Sequence, residues 1–295
     1  MHKMKLALGT AQFGMDYGAT NSSGQIPEQA VEQMLAEAQS AGIDVLDTAA
    51  LYGNAEQILG RVQACNRFRV ITKIRPGSAN AVKTHVRRSA ERLNTKVLDT
   101  VLLHSFSEWT QDPPIWCRMA ESIEDGLVRR IGLSLYHPHE WIKFARWLES
   151  EPSRRSPDLL QFPLSVFDQR FSSVLVGLKA RGIELHVRSV FLQGIGFADP
   201  MNIPLGLYSL KPSIERLVEI ETQTGLSRLA VLLLFPGSFE EIDRIIIGTD
   251  SYKNLRDTIA TWKDVERHVG SQQVRRFLEC SVSDENTILP MNWRS

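Results

Sequence analysis

The fold is decided by residues 69–104, RVITKIRPGSANAVKTHVRRSAERLNTKVLDTVLLH, in which two short apolar runs flank one helical segment. The runs Arg69–Lys73 and Thr100–His104 are rich in the β-branched and aliphatic residues typical of buried strands. Between them, Val82 and Val86 repeat at the four-residue spacing of one helix face. A strand, a helix and another strand in this order predict a parallel sheet, because parallel neighbours need a long crossover connection.

The same rhythm of strand, loop and helix recurs along the whole chain. The sequence predicts eight strands, at Lys5–Leu8, Asp44–Asp47, Arg69–Lys73, Thr100–His104, Arg130–Ser134, Leu159–Phe162, Glu184–Arg188 and Arg244–Gly248. The predicted helices lie near Pro27–Ala41, Ala55–Ala64, Val82–Asn94, Ile115–Glu124, His139–Glu149, Gln169–Arg181, Ile214–Thr224 and Tyr252–Thr261.

Eight strand–helix units in 295 residues predict an α/β fold of the (β/α)8 TIM barrel type. An open dinucleotide-binding sheet would place Gly-x-Gly-x-x-Gly directly after a strand, and neither Gly9…Gly14 nor Gly194-Ile195-Gly196 fits that pattern. We therefore expect a single barrel domain over residues 1–295, with a C-terminal tail from about residue 282.

Composition excludes several classes of function. Lys and Arg together number 34, as do Asp and Glu, so the formal net charge is zero, and a nucleic-acid partner is not expected. Three scattered cysteines suit neither a disulfide framework nor a zinc site. No segment approaches the roughly 20 apolar residues of a membrane span, and none resembles a secretory signal. We expect a cytoplasmic protein that does not bind membranes.

Polar residues follow three successive strands at the ends that face the mouth of a barrel. Asp47 and Tyr52 follow the second strand, Lys73 ends the third, and His104 ends the fourth. Lys73 is expected to pair with Asp47, because an unpaired ammonium at the end of an apolar strand is unfavourable. The positive charge is expected to lower the pKa of Tyr52 from about 10 and make it a general acid.

In this arrangement His104 would orient the oxygen of a substrate carbonyl. The set holds a proton donor but no nucleophile, which favours reduction of a carbonyl by an external hydride source.

The loop after the eighth strand has the features of an anion site. Gly248, Thr249, Asp250 and Ser251 precede a predicted helix, whose N-terminal amides attract phosphate. Asp250 or Ser251 is also expected to cap that helix. A different motif, residues 137–139 (His-Pro-His), is similar to the His-x-His of metal-dependent barrel hydrolases, but no further ligands accompany it, and we predict no metal.

Ordered motifs run through nearly the whole chain. They are Leu8–Gly14, Asp47-Thr48-Ala49 with Tyr52-Gly53, Thr72-Lys73, Leu102-Leu103-His104, Ile131–Ser134, Gln161-Phe162-Pro163 and Ile247-Gly248-Thr249. Each fragment alone is common, but the ordered set is specific, and it resembles the aldo-keto reductases. The resemblance implies that Asp47, Tyr52, Lys73 and His104 match the family's catalytic tetrad, with Tyr52 as general acid.

The resemblance also implies a nicotinamide cofactor, NADP(H) or less often NAD(H), and an aldehyde or ketone as the small-molecule substrate. Ser134 and Gln161 match residues that hold the nicotinamide carboxamide. The other cofactor contacts expected on this basis are Gly9, Thr10, Ala11, Arg188, Ser189, Gly248, Thr249, Asp250, Ser251, Lys253 and Arg256. The segments 13–18 and 167–170 look like the branch of bacterial sugar and polysaccharide pathway reductases.

Two positions depart from the family pattern. Leu135 follows Ser134 where the family usually has an Asn, and Arg188 stands where a Tyr commonly stacks on the nicotinamide. An Arg plane also stacks on aromatic rings. Members that prefer NADP(H) commonly have a base at the position of Asn254 or Leu255.

The cations near that position are Lys253 and Arg256, while Asp250 would repel a phosphate. We therefore expect NADPH to be used with weak discrimination, below about 100-fold.

Two further interpretations stay open. One is a reductase-like barrel that acts as a redox-sensing or regulatory subunit, and the other is a lyase in which Lys73 forms a Schiff base. The sequence leaves the substrate and the oligomeric state open, since specificity is expected from loops and the C-terminal tail.

Overall fold

The computed structural model describes residues 5–266 and 276–293, and its centre is a closed barrel of eight parallel strands. The strands are β1 (Leu6–Gly9), β2 (Val45–Asp47), β3 (Arg69–Ile74), β4 (Leu98–Leu103), β5 (Val128–Ser134), β6 (Leu159–Pro163), β7 (Glu184–Arg188) and β8 (Arg244–Ile247). Each strand pairs with the next, and β8 pairs with β1. The predicted (β/α)8 barrel is confirmed.

Helices surround the barrel and connect its strands. They are α1 (Ala11–Gly14), α2 (Glu28–Ser40), α3 (Ala55–Arg61), α4 (Val82–Arg92), α5 (Phe106–Gln111), α6 (Pro114–Glu124), α7 (Pro138–Glu149), α8 (Leu175–Ala180), α9 (Lys211–Thr224), α10 (Arg228–Gly237), α11 (Tyr252–Val265) and α12 (Glu285–Ile288). Among the described residues, no helix is long and apolar enough to cross a membrane.

Several helices differ from the sequence prediction, and the short helices α1, α5 and α12 were not predicted. The helix predicted over Gln169–Arg181 is shorter, because α8 begins at Leu175 after a separate turn at Ser172–Val174. The helix α10 was not predicted, because its residues from Ala230 to Gly237 are all buried. A helix that is buried on every side lacks the polar face that makes helical periodicity visible.

Side chains that point into the barrel form three layers, because successive residues of a strand face opposite sides of the sheet. At the N-terminal ends of the strands, Glu184 accepts hydrogen bonds from Arg130 Nη2 at 2.6 Å and Arg69 Nη2 at 3.3 Å. The middle layer is mostly apolar, with Ala7, Val45, Ile71, Leu102, Leu159 and Ile246, and it also receives the buried His186, which lies between Glu184 and Arg188 on the same face of β7. The third layer is polar and lies at the C-terminal ends of the strands, where substrates bind in barrels of this type.

The turn that carries Tyr52 rests directly on Gly14 at the end of α1. A Cβ atom at Gly14 would lie 1.9 Å from the Tyr52 carbonyl oxygen and 2.4 Å from the Ala55 nitrogen. The Gly14 carbonyl also accepts a hydrogen bond from the Asn54 amide at 3.2 Å. Only a residue without a side chain leaves this turn in place.

Gly14→Ala is therefore expected to displace the Tyr52 turn. Overpacking of this kind costs about 1–3 kcal/mol of stability, and a shift of the reacting group lowers turnover by up to about 10²-fold. The matched control is Gly177→Ala, on an exposed helical position with open space around it, which should be neutral or stabilising by up to about 1 kcal/mol. Denaturant unfolding and turnover are measured for both variants. Equal stability and equal turnover of the two variants would contradict the role given to Gly14.

The C-terminal segment 276–293 packs across the loops that follow β6 and β7. The Val282 amide donates to the Phe167 carbonyl at 2.9 Å, and Glu285 accepts from Arg170 Nη1 at 2.8 Å. None of the residues described in this segment lines the cavity at the mouth of the barrel. The expectation that the tail contributes to specificity therefore finds no support in its described part.

Candidate active site

A cavity of about 480 Å³ opens at the C-terminal ends of the strands. It is lined by fourteen of the seventeen residues named as site candidates in the sequence: Gly9, Thr10, Ala11, Asp47, Tyr52, Lys73, His104, Ser134, Gln161, Arg188, Ser189, Gly248, Thr249 and Asp250. The other three, Ser251, Lys253 and Arg256, do not line it. The barrel thus brings together residues that lie up to 241 positions apart in the chain.

Lys73 lies at the centre of the polar layer and is 1% exposed. Its Nζ donates to Asp47 Oδ2 at 2.7 Å, to the Thr48 carbonyl at 2.9 Å and to Tyr52 Oη at 3.4 Å. Burial lowers the pKa of Lys73, and the Asp47 carboxylate opposes that effect. On the other side, Gln161 Nε2 donates to Asp47 Oδ1 at 2.7 Å, so both carboxylate oxygens of Asp47 are bound.

The phenol of Tyr52 is held in its neutral form. Burial raises its pKa well above the usual range, the Asp47 carboxylate adds to that rise, and Arg188 only partly opposes it. The sequence predicted the opposite direction, on the basis of the nearby Lys73. That prediction was wrong, because burial of the phenol and the Asp47 carboxylate, which pairs with Lys73 at 2.7 Å, both raise the pKa. A protonated phenol remains suited to proton donation.

His104 faces the same point from the end of β4. Its ring lies edge-on to that of Tyr52, with 6.0 Å between the centroids. Burial lowers the pKa of His104 to about 3, and the positive charges of Lys73 and Arg188 add to this effect. The imidazole is therefore neutral at physiological pH, with one N–H available to a carbonyl oxygen.

These two shifts predict a rate of carbonyl reduction that does not depend on pH between about 6 and 9. The raised pKa of Tyr52 keeps its proton throughout that range, and the pKa of His104 of about 3 lies below it. Single-turnover oxidation of the bound reduced cofactor across this range is the measurement. An inflection near pH 6.5 that disappears in His104→Gln would contradict the assignment.

Beside this group, Ser134 and Gln161 form a buried polar corner. Gln161 Oε1 is buried and has no hydrogen-bond partner, while its Nε2 is held by Asp47. An unpartnered buried acceptor at the cavity wall fits the amide group of a nicotinamide, since such atoms are normally satisfied. Leu135, which stands where the family usually has an Asn, is fully buried, and its apolar side chain offers no hydrogen bond to a ligand.

Arg188 extends from the end of β7 into the cavity. Its guanidinium carbon lies 4.1 Å from the centre of the Tyr136 ring, and its Nη2 donates to the Leu135 carbonyl at 3.1 Å. Its Nη1 donates to Ser189 Oγ at 3.2 Å. All of these partners are neutral, so Arg188 brings a positive charge to the cavity wall.

The loop after β8 approaches the cavity through Gly248, Thr249 and Asp250. Ser251 caps α11 instead, since its Oγ accepts from the Asn254 amide at 3.2 Å. Lys253 and Arg256 line a separate surface depression, beside Glu37 and Lys263. The structure therefore does not place these two cations where the sequence expected them to act.

Sequence reasoning missed the loops that close the cavity from above. The loop after β1 and the loop after β7 meet there: Thr20 Oγ1 bonds the Gln193 carbonyl at 3.5 Å, and Gln193 Nε2 bonds Tyr17 Oη at 3.3 Å. Further lining residues not named as site candidates are Gln12, Gly18, Asn21, Tyr136, Val190, Phe191, Gly194, Phe197, Leu229, Ile246, Asn254, Asp257 and Thr258. Contacts between loops so distant in sequence leave no local pattern to read.

The motif His137-Pro138-His139 lies at the start of α7. The His137 amide donates to Glu140 Oε2 at 3.0 Å, and the His137 ring contacts Arg170 Nη1 at 2.9 Å. Within residues 5–266 and 276–293, no group of three or more potential ligands is placed to hold a metal ion. The motif thus belongs to a helix start tied to a neighbouring loop.

A closed (β/α)8 barrel with a buried Lys–Asp pair against a tyrosine phenol at its mouth belongs to the class of barrel oxidoreductases. The chain is a member of the Aldo/keto reductase family, whose model matches residues 5–266. The family resemblance inferred from the sequence motifs is therefore confirmed.

Several oxidoreductases are similar to the chain in sequence. It is 31% identical over 171 residues to D-arabinose 1-dehydrogenase of Saccharomyces cerevisiae, covering 52% of this chain and 48% of that protein. It is 28% identical over 288 residues to an uncharacterised oxidoreductase of Mycobacterium tuberculosis, covering 89% and 85%. It is 23% identical over 227 residues to the NADH-specific methylglyoxal reductase of Escherichia coli, covering 65% and 64%. The match thus spans about half of the yeast protein.

In structure, the chain resembles an aldo-keto reductase from Bacillus halodurans in its holo form. The two superpose with a TM-score of 0.74 at 18% sequence identity, over 97% of this chain and 96% of that chain. At this identity the likeness is one of fold.

Proposed function

We propose that the protein reduces an aldehyde or ketone to an alcohol, with a nicotinamide dinucleotide as hydride donor. The observation that carries the proposal is the contact of Tyr52 Oη with Lys73 Nζ at 3.4 Å, beside the Lys73–Asp47 pair at 2.7 Å. This group lies in the same cavity as the loop after β8.

The residues present fit such a cofactor. Ser134 and the free Oε1 of Gln161 would hold the carboxamide, and Arg188 would lie against the nicotinamide ring. The loop at Gly248, Thr249 and Asp250, with the first turn of α11, would hold the phosphates. Bound there, the reduced cofactor supplies a hydride.

Residues of the chain itself supply the proton and stabilise the charges that form. Tyr52 donates its phenolic proton to the substrate oxygen as negative charge develops there, and the neutral His104 donates a hydrogen bond to the same oxygen. Lys73 stabilises the phenolate that results, because its ammonium lies 3.4 Å from the phenolic oxygen. Asp47 accepts hydrogen bonds from Lys73 Nζ and from Gln161 Nε2, so it positions both side chains.

The lyase interpretation is less favourable on the same geometry. The Nζ of Lys73 has three oxygen partners, at Asp47, Thr48 and Tyr52, which occupy the directions from which it would attack a carbonyl. Borohydride trapping tests this point, and we expect no reductive attachment of an aldehyde to Lys73. The complete set of four side chains likewise supports catalysis over a purely regulatory role.

For the substrate, we propose small carbonyl compounds that include sugars and dicarbonyls. Two of the similar proteins are named for D-arabinose and methylglyoxal. The experiment is a screen of aldoses, keto-sugars and simple aldehydes, in which oxidation of NADH or NADPH is monitored by the loss of its absorbance. Oxidation of neither cofactor by any carbonyl would overturn the proposal. The cytoplasmic location expected from the sequence stays a prediction.

A further inference from the structure

One part of the cavity is bounded by the loop after β8 and by α11, away from Tyr52. Its walls include Thr249, Asp250, Asn254, Asp257 and Thr258. Given the proposed function, on which this inference rests, the hydride donor lies near Tyr52, and this part of the cavity receives the adenosine half of the dinucleotide.

The charged groups at this wall are carboxylates. Asp250 Oδ1 accepts a hydrogen bond from Asn254 Nδ2 at 2.7 Å, which orients its carboxylate along the first turn of α11. Asp257 follows one turn later. Of the residues that the structure describes, only Lys73 and Arg188 bring a positive charge to the cavity wall, and they lie at the ends of β3 and β7.

Neither Lys253 nor Arg256 lines the cavity. Arg256 and Asn254 are two residues apart, which places them about 200° apart around a helix axis. Arg256 lies over the Tyr252 ring at 5.9 Å, and the Tyr252 hydroxyl donates to Glu37 of α2, on the outer side of the barrel. Lys253 is highly exposed, with 82% of its side chain accessible, and its Nζ bonds Asp257 Oδ2 at 2.7 Å.

The two forms of the cofactor differ only at the adenosine ribose, which carries a 2′-hydroxyl in NAD(H) and a 2′-phosphate in NADP(H). Carboxylates accept hydrogen bonds from ribose hydroxyls, whereas a phosphate needs an Arg or Lys partner. Like charges at this wall repel, more strongly at the half-buried Asp250 than at Asp257, whose side chain is 53% accessible and paired with Lys253.

We propose that Asp250, with a smaller contribution from Asp257, makes this chain select NAD(H) over NADP(H). This reverses the preference expected from the sequence, which relied on Lys253 and Arg256. Wild-type protein is expected to bind NADH at least about tenfold more tightly than NADPH, a difference of about 1.4 kcal/mol. The readout is equilibrium titration of cofactor fluorescence, which does not require turnover.

Variants separate repulsion of the 2′-phosphate by the carboxylates from its attraction by the cations of α11. Asp250→Asn and Asp257→Asn are each expected to tighten NADPH binding severalfold and to narrow the ratio of the two dissociation constants. Because Asp257→Asn also frees Lys253, the double variant Asp257→Asn/Lys253→Gln is needed, and it should keep the gain. Arg256→Gln alone is expected to change the ratio by less than about threefold, since Arg256 does not line the cavity. Lys253→Gln leaves the Asp257 carboxylate without its partner at 2.7 Å and is expected to weaken NADPH binding.

The outcomes distinguish the two proposals. Tighter NADPH than NADH binding by the wild type, or loss of NADPH affinity alone in Arg256→Gln, would overturn the selection of NAD(H) while leaving the proposed function intact. Absence of binding by either cofactor would overturn the proposed function itself. Tighter binding of NADH than of NADPH by the wild type, with a narrowed ratio of dissociation constants in the Asp variants, supports both the proposed function and the selection of NAD(H).

Discussion

Tyr52→Phe is expected to lower the rate of carbonyl reduction by about 10²–10⁴-fold, the usual contribution of a positioned general acid. The substitution removes only the hydroxyl, and the aromatic ring keeps its packing against His104 and its place beneath Lys73. The fold and the affinity for the cofactor should therefore be unchanged. Steady-state kinetics and fluorescence titration measure the two quantities separately.

The matched controls are Tyr17→Phe and Tyr136→Phe, which remove phenolic hydroxyls from the same cavity. Tyr17 Oη accepts a hydrogen bond from Gln193 Nε2, and the Tyr136 ring lies under Arg188, whereas the hydroxyl that Lys73 Nζ contacts is that of Tyr52. We expect each control to keep its rate within about tenfold of the wild type. Near-normal reduction by Tyr52→Phe, or an equal loss in a control, would remove Tyr52 from its role.

Lys73→Met is expected to affect both stability and rate. It leaves the buried carboxylate of Asp47 without its positive partner, and breaking a buried pair in this way costs about 3–5 kcal/mol. The unneutralised carboxylate should also raise the pKa of Tyr52 further. Alcohol oxidation requires the phenolate, so the optimum of that direction should move to higher pH.

The double variant Asp47→Asn/Lys73→Met separates the two effects. It removes the unpaired charge and should recover much of the lost stability, while turnover stays low because no ammonium stabilises the phenolate. Denaturant unfolding gives the stability, and pH profiles of alcohol oxidation give the optimum. A single variant with wild-type stability and an unmoved optimum would show that Lys73 neither balances Asp47 nor tunes Tyr52.

Much of the fold was readable in the sequence because the barrel strands are short and strongly apolar. All eight were predicted to within two residues, and the ends of three of them pointed to the candidate site residues Asp47, Tyr52, Lys73 and His104. The helix α10 was missed for a physical reason: it is buried on all sides and shows no periodicity. Patterns at single strands or helices thus predict elements, but they do not predict how deeply an element is buried.

The site could be predicted only in part, because the direction in which a side chain points and the depth of its burial depend on the folded chain. The phase of α11, which turns Arg256 away from the cavity, follows from the helix beginning after Ser251. The rise in the pKa of Tyr52 depends on its burial against Asp47. The contact of Tyr17 with Gln193 joins two loops 176 residues apart. None of these three facts is present in any local motif.

The central claim is that hydride passes from a nicotinamide cofactor to a carbonyl carbon in this cavity. The most direct test is reduction of a carbonyl found in the screen with NADH carrying two deuterium atoms at C4, followed by mass spectrometry of the product. The account predicts one deuterium in each alcohol molecule, on the former carbonyl carbon, at a rate that falls with Tyr52→Phe. An alcohol that forms without deuterium, or at an unchanged rate in that variant, would contradict it.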